Sequence, residues 1–313
     1  MTLKDAKELF LTHCQYEKNL SPKTIEAYDL DVRQFALFLR DECVDDITLI
    51  AKGEIRDYLK SINHYEIKTI KRKMASMKAL FNFLEFEDEI TISPFRKLKL
   101  SLKEPQQLPV LMNQEEVKKI LHEAYEDFSK HIPDSSSAIQ VLRDVAVLEL
   151  LFATGMRVSE LCNLHIRDFD LATGSILVLG KGRKQRLIQV CNESVMQLIR
   201  VYRSKIETAD EIPESFFINR LRKPLSDQSV RLMIKKYYVR AGITKHITPH
   251  SFRHTFATLL LEEDVDIRYI QHLLGHSSIA VTQIYTHVNQ EKQRQILSDK
   301  HPRSKFEMGI GKQ

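Results

Sequence analysis

Residues 165–190, HIRDFDLATGSILVLGKGRKQRLIQV, decide the fold class. His165–Phe169, Ser175–Leu179 and Arg186–Val190 are short strand-like runs. A turn at Ala172-Thr173-Gly174 and a basic turn over 180–184 separate them, which predicts a small antiparallel sheet. Everything around it is helical in pattern. Upstream, Leu142–Phe152 is apolar nearly all round, the mark of a central buried helix, with Gly155 placed to end it and Arg157 directly beyond. Asn113 with Glu116 three residues on is a capping box leading into Val117, Ile120 and Leu121. Downstream, Thr248-Pro249, Asp266 and Ser278 are helix starts and Gly275 a stop.

Residues 1–90 show helical periodicity only. Ser21-Pro22 supplies a cap and a first-turn proline before Ile25, Tyr28, Val32, Phe35 and Leu39. A second helix over Lys68–Phe86 buries Ile70, Met74, Met77, Phe81 and Leu84. Prolines and basic residues from Ser93 to Pro109 break the periodicity. The expected organisation is therefore mainly α with a small antiparallel sheet: a helical domain at 1–92, a basic linker at 93–110, and an α+β domain at 111–313.

Length and composition suit two soluble domains: 313 residues, 43% hydrophobic and 28% charged. The four cysteines form no C-x-x-C pair, which argues against a zinc knuckle or redox motif. Asp5 and Glu8 interrupt the N-terminal stretch where a signal peptide needs apolar residues, so a cytoplasmic protein is expected, with no membrane partner. The net charge of +5 matters less than its clustering. Lys68, Lys71, Arg72, Lys73 and Lys78 stand together with no acidic residue among them, and 220–240 holds seven basic residues against Asp227 alone. Either run by itself fits a solvated helix face. Together they point to phosphate contacts, with Lys68, Lys71, Arg72, Lys73, Lys78, Arg183, Arg222, Lys223 and Arg231 as the candidates.

The densest chemistry lies in TPHSFRHTFAT, 248–258. His250 and Arg253, three apart, share one helix face, and a phosphate at that helix start would meet a cation, an imidazole and free backbone donors. His250 as a simple cap or core residue is the bland alternative. A metal site on His250 and His254 is disfavoured because Arg253 stands between them, and His254 is expected in the core or behind the site. The GKGRK turn lacks the spacing and the Ser/Thr of a nucleotide-binding loop. Neither a metal nor ATP is expected.

Four ordered stretches, ATGMRVSEL (153–161), the GKG turn (180–182), HSFRHTFAT (250–258) and LGHSSIAVTQIYTH (274–287), resemble the boxes of the tyrosine recombinase (phage integrase) family, most closely its Xer branch. SPKTIEAY (21–28) resembles the opening of that family's core-binding domain, so the likeness spans nearly the whole chain. It implies catalytic residues at Arg157, Lys181, His250, Arg253, His276 and Tyr285, none of them substituted. The implied reaction is site-specific cleavage and rejoining of double-stranded DNA through a 3′-phosphotyrosyl intermediate on Tyr285 and a Holliday junction. The resemblance further implies four protomers on two sites, with a partner recombinase or a translocase as further partners, and a C-terminal segment, 288–313 with Ile296 as anchor, passed to a neighbour. Segment 128–140, expected as a loop, is longer than in Xer proteins. A type IB topoisomerase and a non-catalytic DNA-binding relative are the rival readings; the intact six residues oppose the second, and the Xer-like tail opposes the first.

Overall fold

The computed structural model describes residues 1–41, 46–96, 98, 102, 110–179, 185–207, 213–275, 294 and 297–305. The chain divides into two compact units, 1–107 and 108–313. Most of the expected linker 93–110 lies outside the described residues.

The first unit contains α1 (Leu3–Thr12), α2 (Pro22–Asp41), α3 (Lys52–Ser61) and α4 (Ile67–Phe86). Thr2 and Asp5 cap α1 reciprocally. Val32, Phe35 and Leu39 of α2 are buried against Met77, Phe81 and Leu84 of α4, so the apolar stripes forecast from spacing form the core.

The second unit is built on α6 (Ser136–Thr154), which packs against α5 (Gln114–Ser129), α8 (Glu193–Ile206), α9 (Asp227–Arg240) and α10 (Pro249–Glu262). Val145 to Phe152 of α6 are buried without a break, Glu149 included. Ser135 caps α6 through its side chain, and the helix begins six residues before the expected Leu142. Segment 128–140 is accordingly not one long loop: α5 runs to Ser129 and α6 starts at Ser136.

Between α7 (Val158–Cys162) and α8 comes the sheet, β1 (Phe169–Asp170), β2 (Ser175–Leu179) and β3 (Gln185–Gln189), antiparallel in that order. The expected strand at His165–Phe169 is mostly a 3₁₀ turn over Ile166–Asp168, because the Asp168 carboxylate accepts from the His165 N–H and curls the backbone. In β2 the alternation is clean: Ile176 and Val178 are buried, Leu177 and Leu179 exposed. Ile176 pairs with Ile188 and Val178 with Arg186, so the register puts Arg186 on the buried face. The last described helix before the tail is α11 (Ile267–Leu274). No helix among the described residues is long and apolar enough to cross a membrane.

Candidate active site

Helix α6 stops where the sequence requires. Gly155 caps it in the left-handed region, at φ +60°, and a Cβ there would stand 2.5 Å from the Phe256 ring, so only glycine lets α10 approach. The chain then turns so that Arg157 precedes α7, with Glu160 reaching back to it: the Arg157 N–H and Nη1 donate to Glu160 Oε2 and Oε1, both at 2.8 Å. Those two bonds hold Arg157 in one orientation.

Arg253, on α10, is 5% exposed and bonds no carboxylate among the described residues. Its Nη1 donates to the Gly155 carbonyl at 2.8 Å and its Nη2 to the Leu274 carbonyl at 2.5 Å. Burial first, and the nearby Arg157 charge second, push its pKa down to about 10, so it stays protonated at neutral pH. Arg157 Nη2 donates to the Gly275 carbonyl at 3.2 Å, and Arg186 Nε to the Leu273 carbonyl at 3.1 Å. Three consecutive carbonyls at the end of α11 thus each receive a different arginine. These are the carbonyls a helix end leaves unsatisfied, and its dipole favours cations there. Gly275 ends α11 at φ +63°, directly before His276.

Arg186 was not anticipated from the sequence. Its Nη1 and Nη2 fork onto Glu160 at 2.7 and 2.8 Å. Burial alone would raise the Glu160 pKa; bonds from Arg186, then from Arg157, reverse this and keep it ionised. A charged residue at the inward position of a hairpin strand was the available signal, since such a group needs a buried counter-charge.

His250 sits exposed in the first turn of α10, behind the Thr248 cap and Pro249. Partial desolvation, then the charges of His254, Arg231, Arg253 and Arg157, lower its pKa, so its imidazole is neutral at pH 7 and able to accept a proton. His254 is exposed as well, which excludes the core alternative and leaves it beside His250, on whose imidazole its charge acts. The structure therefore brings Arg157, His250 and Arg253 together. Lys181, Arg183, His276 and Tyr285 lie outside the described residues.

Among the expected phosphate contacts, Lys68, Arg72, Lys78, Lys223 and Arg231 are exposed and Lys71 and Arg222 half-buried. Lys73 requires correction. It is 2% exposed, turned into the core of the first unit beside Asp31 and Gln34, because the buried Asp31 carboxylate needs a counter-charge. Arg222 donates to the Ile206 carbonyl at 3.3 Å and lines a cleft of about 360 Å³ with Arg143 and Lys205. Two cations of the 220–240 run, Lys236 and Arg240, bind Asp127 of α5 at 2.7 Å each; burial works to raise its pKa, but these bonds hold it at about 2. In the tail, Ile296 lies outside the described residues, while Leu297 packs with Phe256, Leu260 and Leu273 of its own chain. Arg303 forks onto the buried Glu149 at 2.8 and 2.9 Å, and His301 bonds the Ala153 carbonyl at 3.0 Å.

Comparison with known proteins bears on the family of the chain. The phage integrase family profile matches residues 111–292, and that of the phage integrase N-terminal SAM-like domain matches 8–88. A tyrosine recombinase of Agathobacter rectalis is 45% identical over 95% of this chain and 96% of its own. Tyrosine recombinase XerC of Bacillus subtilis is 36% identical over 96% and 98%. The crystal structure of XerH site-specific recombinase bound to difH substrate shares the fold, with a TM-score of 0.66 at 24% identity over 91% of this chain and 83% of that one. Family profiles over both units and near full-length identity well above 30% leave one assignment: the chain belongs to the phage integrase family of tyrosine recombinases.

Proposed function

We propose that this site-specific recombinase cleaves and rejoins double-stranded DNA with Tyr285 as nucleophile, Arg157 and Arg253 as the phosphate clamp, His250 as base, His276 as a further donor and Lys181 as acid. The observation that carries the reading is the convergence of Arg157 and Arg253 on the carbonyls just before the His276 segment. Attack on a phosphodiester builds charge on the non-bridging oxygens, and fixed guanidiniums stabilise that charge without reorganising. A tyrosine has an unperturbed pKa of about 10, so it needs a base and a positive field to react at neutral pH. The lowered pKa of His250 supplies the first, and the arginines supply the second. Lys181, which falls between β2 and β3 in the sequence, is assigned to protonating the leaving 5′ oxygen. The phosphotyrosyl link conserves the energy of the broken bond, so rejoining needs no ATP. Four protomers on two sites, in the cytoplasm, complete the proposal.

The test is a DNA substrate that traps the cleaved intermediate. Wild type should form a covalent protein–DNA adduct, undiminished in EDTA, and Tyr285→Phe should bind DNA equally and form none. An adduct with the Phe variant, or a strict requirement for magnesium, would overturn the assignment.

A further inference from the structure

We infer that Arg186 is a positioning residue for strand cleavage, a third guanidinium that touches no phosphate but holds Glu160 and the end of α11 where Arg157 and Arg253 can work. The inference rests on the reading of Arg157 and Arg253 as the phosphate clamp.

The register of β2 with β3 points Arg186 inward beside Val178, and its side chain is 9% exposed. Among the described residues its directed bonds are all structural: two to Glu160 and one, through Nε, to the Leu273 carbonyl. Gly275 makes room for it, since a Cβ there would stand 3.0 Å from Arg186 Cδ. Glu160 Oε1 accepts from Arg186 and Arg157 together, at 2.7 and 2.8 Å. With Arg186 present, the carboxylate is shared and Arg157 keeps only one side-chain bond to it. Its Nε makes no bond among the described residues and remains for a ligand.

Removing Arg186 changes this balance in a definite direction. A buried carboxylate stripped of one partner turns its full charge on the other. Glu160 would then draw the Arg157 guanidinium into a two-pronged pair and away from phosphate. The Leu273 carbonyl would lose its donor, and α11 would lose this tie to β3. Two guanidiniums share the Glu160 carboxylate here and a third, Arg253, is held beside them by carbonyls, a surplus of two positive charges suited to a phosphoryl group gaining charge as it is attacked.

The experiment is single-turnover cleavage on a saturated protein–DNA complex, with DNA affinity measured at the same salt. Arg186→Met should cleave about 100-fold more slowly, the scale of a small misplacement of catalytic groups, with affinity unchanged. Arg186→Lys should recover part of the rate, because an ammonium keeps the charge but not the fork. Arg186→Met combined with Glu160→Gln should be faster than Arg186→Met alone, since a neutral amide no longer pulls Arg157 aside; a merely structural role gives no such relief. An Arg186→Met protein as fast as wild type, or no relief from Glu160→Gln, overturns the inference. Should Arg186→Met fail to fold, a folded Arg186→Lys protein with the wild-type rate overturns it equally. If wild-type protein itself forms no adduct with DNA, it is the proposed function that fails.

Discussion

Each unit of the molecule buries a carboxylate between two cations, and the two arrangements serve different ends. In the first unit Asp31, fully buried, accepts from Arg72 Nη1 at 2.5 Å and Ser76 Oγ at 2.7 Å, with Lys73 Nζ at 3.5 Å. That cluster staples α2 to α4. In the second unit Glu160 is held by Arg186 and Arg157, but Arg157 remains 30% exposed and a third arginine, Arg253, stands by with only carbonyls as partners among the described residues. The difference lies in what is left over. Both clusters hold more cation than carboxylate, but around Asp31 both cations are paired to that carboxylate, whereas around Glu160 a third guanidinium, Arg253, adds a second surplus charge and bonds only carbonyls among the described residues. A buried ion pair alone is weak evidence of function; an excess of buried cation over carboxylate, with nothing local to balance it, is stronger evidence that an anion belongs there.

The contrast breaks if the two clusters respond alike. Asp31→Ala leaves Lys73 buried without its counter-charge and should cost about 3–5 kcal/mol in denaturant unfolding, while cleavage on a saturated complex stays near wild type. Arg253→Ala should do the reverse, slowing single-turnover cleavage by roughly 10²–10³-fold, the usual effect of losing one fixed donor to a developing charge.

A third buried pair, Glu149 with Arg303, sharpens the comparison through pH. Burial pushes the neighbouring His301 pKa down to about 4. The folded His301 refuses a proton that the unfolded chain accepts below pH 6.5. Stability of the second unit should therefore be intact above about pH 6.5 and fall by roughly 3 kcal/mol as pH drops towards 4. Unfolding curves across that range check it, and His301→Phe should flatten the slope.

The smallest effect separates cations within one helix. Lys78→Gln should lower the salt slope of log affinity by about 0.9 if Lys78 contacts phosphate, while Lys73→Met should leave the slope unchanged because that lysine is buried. Equal slopes for the two would return the α4 face to plain solvation.

How much of this was legible beforehand follows the range of the interactions involved. Helices announced by caps and periodicity, such as α2, α4, α5 and α10, appear within a residue or two of where spacing puts them, because their signals are local. Gly155 and Gly275 were legible as stops for the same reason. The 3₁₀ turn at Ile166–Asp168 was not, since one Asp168 side-chain bond outcompetes a strand-like pattern. Lys73 looked like its neighbours on α4 until Asp31, 42 positions earlier in the chain, supplied a buried partner. Arg186, Arg303 and His301 escaped for that reason too: their partners Glu160, Glu149 and the Ala153 carbonyl are 26, 154 and 148 residues away. Of the site itself, Arg157, His250 and Arg253 were legible because short motifs carry them, while the third arginine that completes the set depends on strand register.

The most direct test asks whether Arg253 acts on phosphate charge. Single-turnover cleavage by wild type and Arg253→Ala would be measured on ordinary DNA and on DNA whose scissile phosphate carries a methyl group in place of one non-bridging oxygen, which removes its charge. If the guanidinium works by stabilising that charge, the Arg253→Ala defect should shrink sharply on the neutral substrate. A defect of equal size on both substrates would contradict the account and leave Arg253 as no more than a tie between Gly155 and the end of α11.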